Sequence, residues 1–200
     1  MRKPVATAAV LGVVAAMIVP AGVAQAAPHA PAAGSTSITM KVTGCNGCTI
    51  TPVQAIQGED AIWSGAAVKV KGGKALLTVP TARTRGMSFN LEAAWNVAIN
   101  AMPVIVTQYE STQPGQSVTK KQAMTFTRAT GCWAGTTEPA VTVNVTVRRV
   151  TMPAFPPSGK KKTTRVPLAW MVPTQSTTGG FDTASKGVIA QQNAWYCPDA

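Results

Sequence analysis

The stretch AVTVNVTVRRV, residues 140–150, decides the fold class of this chain. Valine occupies every second position from 141 to 147, with threonine and asparagine between. An alternation of period two places the two sets of side chains on opposite faces of a β-strand. The β-branched residues also favour extended structure. We therefore expect a strand with a buried valine face and a solvated polar face.

Shorter segments of the same kind recur along the chain, separated by turns rich in Gly, Pro, Ser and Thr. We expect strands within 36–44, 66–80, 86–95, 102–111, 122–131, 140–150, 164–173 and 187–197. Segment 66–80 divides into two strands around Gly72-Gly73, because paired glycines allow the positive φ angles of a tight hairpin. In segment 86–95, Met87, Phe89 and Leu91 should share the buried face.

About nine or ten short strands without an amphipathic helix predict an all-β domain. Only residues 91–102 resemble a helix, and 15 prolines oppose long helices. We expect a single antiparallel β-sandwich, immunoglobulin-like in the broad sense. A closed barrel is the alternative.

The first 27 residues have the features of an export signal. Two cations precede an Ala-rich apolar run that is too short for a convincing membrane span, and residues 24–26 form an A-x-A cleavage site. Residues 28–36 should form a disordered Pro- and Ala-rich arm, and residues 37–200 a single domain. We therefore expect a secreted, extracellular protein with no membrane span in its mature form.

The 4 cysteines of an exported chain predict two disulfide bonds. We favour Cys45–Cys48, which encloses the turn residues Asn46-Gly47, together with Cys132–Cys197. The other two ways of pairing the four cysteines remain open from the sequence.

The CxxC motif of Cys45 and Cys48 could also be a redox or metal site. A redox site needs a helix N-terminus to lower the thiol pKa, and the β-branched residues and Pro52 that follow oppose a helix. A zinc site needs four ligands, and the only histidine, His29, lies in the predicted arm. We expect neither redox activity nor a bound metal.

No residue pattern indicates catalysis. A folded part without histidine excludes Ser-His-Asp and Cys-His arrangements. The 7 acidic residues are scattered and form no paired motif for acid–base work. We therefore expect no catalytic residues, no cofactor and no enzymatic activity.

Positive charge dominates the chain. It has 18 basic and 7 acidic residues; with two basic residues in the leader, the mature net charge is +9. Such an excess favours anionic partners, although it also promotes solubility. The charge is concentrated in one Pro-flanked loop, whose candidate anion-binding residues are Lys160, Lys161, Lys162 and Arg165. The alternative for this loop is a solvated turn that deters aggregation.

The chain has 5 tryptophans, which either fill a core or offer a platform for sugar rings. Trp63 follows an acidic turn and is the candidate carbohydrate platform. Trp133 and Trp195 lie next to Cys132 and Cys197 in the sequence and should pack on that disulfide.

Together these features predict a disulfide-braced extracellular or cell-envelope binding module. Its expected ligand is an anionic cell-wall or other extracellular polymer, rather than nucleic acid. Two alternatives remain: a carbohydrate-binding or carbohydrate-active module, and a secreted inhibitor or toxin-like protein with a disulfide-braced loop.

Overall fold

A computed structural model of the chain describes residues 34–55, 62–95, 103–110, 112–123, 129–154, 162–178 and Cys197. Within these ranges almost all regular structure is β-strand, so the protein is all-β as its alternating pattern predicted. The predicted leader, most of the arm and the expected strand at 187–196 lie outside the described residues. No helix in the described part is long and apolar enough to cross a membrane.

The strands are β1 (Ser35–Thr43), β2 (Thr49–Ala55), β3 (Ile62–Ser64), β4 (Val68–Lys69), β5 (Lys74–Pro80), β6 (Ser88–Glu92), β7 (Gln108–Tyr109), β8 (Ala129–Thr130), β9 (Ala140–Ala154) and β10 (Lys162–Met171). A 3-10 turn spans Thr81–Arg83, and one turn of α-helix, α1, spans Lys120–Ala123. Ser35, expected in the arm, lies in β1, and so does Thr36, where the expected arm and the expected first strand overlap. The Thr36 hydroxyl donates to the Glu138 carbonyl over 3.0 Å, which holds this end of the strand.

The first sheet has the strand order β10-β9-β1-β5. Its β5–β1 and β9–β10 contacts are antiparallel, whereas β1 and β9 are parallel, with Ile38 opposite Val141. The expectation of a wholly antiparallel domain is therefore wrong for this central pair. Alternation tells which face of a strand is buried, but it carries no information about the direction of the neighbouring strand.

The second sheet is built around β2, with β6 along one edge and β3 and β4 in succession along the other. β2 and β3 are absent from the predicted strands, since Pro52 interrupts the β2 sequence. The carbonyl of Pro52 accepts from the Gly65 N–H over 2.9 Å. The proline nitrogen points to the same edge, in the gap between β3 and β4, so its missing N–H breaks no ladder.

One buried cluster contains residues of both sheets. Ile38 and Met40 of β1 and Val145 of β9 share it with Ile50 of β2 and Phe89 of β6. Three of the four valines predicted on the buried face of β9 are buried: Val143, Val145 and Val147 are exposed by only 5%, 1% and 1%. Val141, at the start of the strand, is partly buried against the same cluster. The predicted burial of Met87, Phe89 and Leu91 is also confirmed.

The Gly72-Gly73 hairpin connects the two sheets. The φ angles of Gly72 and Gly73 are 56° and 72°, as a tight turn of this type requires. Lys71 and Lys74 exchange two backbone hydrogen bonds, of 2.9 and 3.0 Å, across the turn. The hairpin was predicted, but its two strands belong to different sheets, because β4 pairs with β2 and β5 with β1.

A second cluster covers the other face of β10. Val166, Leu168 and Trp170 pack there against Tyr109 and other residues of the segment that carries β7, α1 and β8. Ala169 and Met171 point into the first cluster. This part of β10 is therefore buried on both faces.

The expected strands at 102–111 and 122–131 are short in the structure. Val104, Ile105 and Val106 are all buried, so this run does not alternate, and β7 covers only its end. Residues 122–123 form part of α1 rather than a strand. The reason is a capping box: the Thr119 N–H donates to Gln122 Oε1 over 2.9 Å, and the Gln122 N–H donates to Thr119 Oγ1 over 3.2 Å. Residues 124–128 of the expected strand lie outside the described residues.

Candidate anion-binding surface

Both predicted disulfide bonds are confirmed. Cys45 bonds to Cys48 across 5.7 Å between Cα atoms, and Cys132 bonds to Cys197 across 5.6 Å. All four cysteines are buried, so none is available as a thiol. In the described part of the chain, no group of three or more His, Cys, Asp or Glu residues could hold a metal ion.

The Cys45–Cys48 turn forms a rigid corner between β1 and β2. The Gly47 N–H donates to the Val70 carbonyl over 2.8 Å, and the Val70 N–H donates back to the Cys48 carbonyl over 2.7 Å. The turn is thereby tied to the chain entering the Gly72-Gly73 hairpin. Its two cysteines are buried and its backbone is tied to the neighbouring chain, whereas Asn46 at its tip is exposed. The inhibitor alternative stays a prediction.

The predicted anion-binding loop falls largely outside the described residues. Lys160 and Lys161 are not described, and of Lys162 only the backbone is described, as the first residue of β10. Arg165 lies on β10 with an exposed side chain. Anion binding by this loop therefore stays a prediction.

A different set of cations lies together at the corner. Lys41 of β1 is directly opposite Lys74 of β5, and Lys74 is opposite Lys71 across the hairpin turn. All three side chains are exposed. We call Lys41, Lys71 and Lys74 the lysine row.

Two further cations border the same corner. A Cβ atom placed on Gly47 would lie 3.9 Å from Cε of Lys69, and one placed on Gly44 would lie 3.7 Å from Nη1 of Arg148. The disulfide turn is thus overhung by positive side chains from β4 and β9.

Neutralising groups are scarce beside the lysine row. None of its three lysines forms an ion pair with a carboxylate of the described residues. Of the described acids, Glu92 pairs with Thr49 on one side of β2, and Lys69 pairs with Thr49 on the other side. Glu92 therefore lies in the second sheet, two strands from Lys69, and does not belong to the row.

The lysine row borders a polar face of the first sheet. On this face Leu76, Thr39 and Thr142 stand side by side on β5, β1 and β9, and Thr78 stands opposite Ser37 in the next position. Thr78 and Thr142 are exposed, and Leu76 is 55% exposed. We call Ser37, Thr39, Thr78 and Thr142 the hydroxyl face.

Trp63, the predicted carbohydrate platform, is half-buried in β3. The Arg83 guanidinium carbon lies over its ring, 6.0 Å from the centroid, and Arg83 also donates to Gln54 Oε1 over 3.3 Å. The position of a Gly65 Cβ would be 2.9 Å from Cη2 of the indole. One ring face is thus occupied by Arg83 and one edge by Gly65, and the sugar-binding role of Trp63 stays a prediction.

The other described tryptophans also have protein contacts. Trp133 is buried with its ring centroid 6.1 Å from that of Phe89, and Trp170 is buried in the second cluster. The Arg149 guanidinium lies 4.4 Å from the Trp95 ring centroid, within cation–π range. Trp195, expected to pack on the long disulfide, lies outside the described residues.

The acidic residues form no site in the described part of the chain. Glu92, Glu110 and Glu138 are exposed and lie on separate elements. The lysine row is the feature that sequence reasoning missed. The hairpin prediction already places Lys71 opposite Lys74, but nothing local places Lys41 beside them.

Comparisons of the chain with protein-family models, with curated proteins and with solved structures found no match.

Proposed function

We propose that this protein is a non-enzymatic extracellular binding module that holds an anionic polymer on its lysine row. One observation carries the proposal: three exposed lysines stand side by side and share no carboxylate partner among the described residues. Unpaired cations on a protein of net positive charge raise the local concentration of anions.

A polymer suits this site better than a small anion. Neighbouring strands lie about 4.8 Å apart, so the row extends over roughly 10 Å of an open sheet surface. Small ligands usually occupy concave sites that bury most of their surface. A chain of repeated charges instead gains from several weak, exposed contacts made at once.

We also propose that the chain is exported and that its two sheets form a sandwich, immunoglobulin-like in the broad sense. The two disulfides support an oxidising compartment. The buried cluster shared by the two sheets supports the sandwich over the barrel. Mass spectrometry of protein from the culture medium tests export, because a leader cleaved after Ala26 or Ala27 leaves a defined new N-terminus.

Polyphosphate is the probe for the binding function, because it carries repeated charge and no sugar. The row variant, Lys41→Gln with Lys71→Gln and Lys74→Gln, is compared with a loop variant, Lys160→Gln with Lys161→Gln and Lys162→Gln. Both variants lose three charges, so net charge is matched. Affinity is measured by fluorescence anisotropy with labelled polyphosphate over a range of salt concentrations.

We expect the row variant to lose most of its affinity. The slope of log K against log salt should fall by about 1 for each contact removed, the value known for phosphate contacts. The loop variant should stay near the parent. Equal loss in both variants would mean that net charge alone drives binding, and loss only in the loop variant would move the site to that loop.

A further inference from the structure

The lysine row and the hydroxyl face form one continuous surface on the first sheet. Lys74 and Lys41 occupy one cross-strand line, and Leu76 and Thr39 occupy the next line on the same face. Successive same-face positions on a strand are about 6.7 Å apart. Along the strands, a line of charged side chains is therefore followed by a line of hydroxyls and one apolar side chain. The spacing between these lines is comparable to the length of one sugar unit in a polysaccharide.

The hydroxyl face extends across three strands. Thr39 is in register with Thr142 of β9, and Ser37 with Thr78 of β5. In the line of the lysine row, Asn144 of β9 stands beside Lys41 with an exposed side chain. A hydroxyl both donates and accepts hydrogen bonds, and an amide carries both kinds of group.

Leu76 adds an apolar contact to this polar surface. It is one of two large hydrophobic residues that are exposed in the described part of the chain, at 55%. Its neighbours are Thr39 across the strand pair and Lys74 and Thr78 along β5. A sugar ring with one C–H-rich face and hydroxyls at its rim matches an apolar side chain surrounded by hydroxyls.

We propose that this face binds a carboxylated polysaccharide, a chain of uronic acid units. The ammonium groups of Lys41 and Lys74 hold the sugar carboxylates. Leu76 packs under a ring, and the hydroxyls of Thr39 and Thr142 pair with ring hydroxyls. The inference rests on the proposed function, which it narrows to one class of polymer.

The chemistry of the face disfavours the other polyanions. Phosphate oxygens at neutral pH only accept hydrogen bonds, so polyphosphate can use the O–H donor of each threonine but leaves its acceptor lone pairs unused. Single-stranded nucleic acid binds through bases stacked on aromatic side chains. The described residues that make up this face are Ser37, Thr39, Lys41, Lys74, Leu76, Thr78, Thr142 and Asn144, and none of them is aromatic.

Three polymers separate these possibilities. Polygalacturonate carries sugar rings and charge, fully methyl-esterified polygalacturonate carries the rings without the charge, and polyphosphate carries the charge without the rings. We expect the parent protein to bind polygalacturonate more tightly than polyphosphate, per charge, and to bind the ester only weakly.

The hydroxyl variant, Thr39→Val with Thr142→Val, keeps side-chain shape and strand propensity. It should bind polygalacturonate about tenfold more weakly, because two neutral hydrogen bonds are lost. Its affinity for polyphosphate should fall less, because phosphate oxygens pair only with the donors of these hydroxyls. The control, Thr49→Val with Thr151→Val, makes the same change on β2 and near the far end of β9, nine residues beyond Thr142. It should leave both affinities unchanged. Thermal melts check that both variants fold.

Each outcome decides something. A hydroxyl variant that binds polygalacturonate like the parent overturns the carbohydrate inference, and so does a parent that binds only polyphosphate. In both cases the proposed function stands if the row variant still binds polyphosphate more weakly than the parent. The row variant is Lys41→Gln with Lys71→Gln and Lys74→Gln. A parent that binds neither anionic polymer overturns both proposals.

Discussion

Lys41 of β1 and Lys74 of β5 are direct partners in an antiparallel ladder, and both side chains are exposed. Lys71 continues the line on the other side of Lys74. Like charges placed directly opposite each other destabilise a sheet. The arrangement therefore costs folding stability, and a bound anion that lies between the ammonium groups removes that cost.

Replacing Lys74 should separate stability from binding. Lys74→Glu places opposite charges at the Lys41 pair and should raise the free energy of unfolding by about 0.5 kcal/mol at low salt, a small gain because exposed pairs are well screened. Lys74→Gln, which only removes the repulsion, should gain less. Both variants should bind polyphosphate more weakly than the parent. Urea melts and anisotropy titrations measure the two effects, and a Glu variant that is less stable than the Gln variant contradicts the repulsion argument.

The two disulfides should contribute unequally to stability. Cys132–Cys197 closes a loop with a sequence separation of 65, and Cys45–Cys48 one of 3. The chain-entropy model assigns about 4 kcal/mol to the long loop and about 2 kcal/mol to the short one. Cys132→Ala with Cys197→Ala should therefore lower the urea midpoint more than Cys45→Ala with Cys48→Ala. If both double variants had the same urea midpoint and the same dependence of unfolding free energy on urea, the loop-length argument would be contradicted.

Gly44 should tolerate no side chain. Its φ angle is +90°, and a Cβ atom there would overlap the backbone carbonyl oxygen of Val147 on β9. Gly115 has the same φ angle of +90° with no atom within 4 Å of a Cβ position, which makes it a matched control. Gly115→Ala should lower the free energy of unfolding by about 1 kcal/mol through backbone strain alone. Gly44→Ala should lower it further, because the overlap with Val147 adds to the strain. Urea melts compare the two variants. Equal losses of unfolding free energy would show that the backbone at Val147 moves away from the new Cβ atom without destabilising the fold.

The Tyr109 phenol should make stability fall at alkaline pH. Burial raises the pKa of Tyr109 above its ordinary value of 10.0, and its hydroxyl donates to the Ala123 carbonyl over 3.3 Å. Since the folded state keeps the proton longer than the unfolded chain, this contribution is complete below about pH 10. It is lost above that pH by about 1.4 kcal/mol per pH unit.

Tyr109→Phe isolates this effect. At pH 8 the variant should be less stable than the parent by about 1 kcal/mol, because it lacks the hydrogen bond. Above pH 10 the difference should shrink and then reverse, since only the parent has the buried phenol. Urea melts at pH 8, 10 and 11 follow the difference, and a constant gap across this range would contradict the assignment.

Local patterns predicted much of the fold. The valines of β9 were placed on the buried face because alternation needs only the strand itself, and the Gly72-Gly73 turn was predicted because positive φ is a property of glycine. The strand β2 was missed at Pro52, whose nitrogen is tolerated only because β3 and β4 leave a gap beside it. The turn of α1 had a readable signal in the Thr119–Gln122 capping box.

The candidate site was only half predictable. Lys71 and Lys74 are three residues apart, so the hairpin alone puts them in contact. Lys41 joins them through the β1–β5 register, across more than thirty residues of intervening chain. The anion-binding site was predicted at the loop around Lys160 because its positive residues are close together in the sequence. Lysines that come together from separate strands leave no such cluster in the sequence.

The sequence by itself determined the all-β class and the buried faces of β6 and β9, because each depends on side-chain periodicity within short segments. It favoured the two disulfide pairs that the structure shows, but it left the other pairings open. The tertiary structure decided that β1 runs parallel to β9, that β10 is buried on both faces and that Lys41 stands beside Lys74. These features depend on which strands become neighbours. That choice is made by the packing of whole faces across the two clusters, and no local stretch of the chain encodes it.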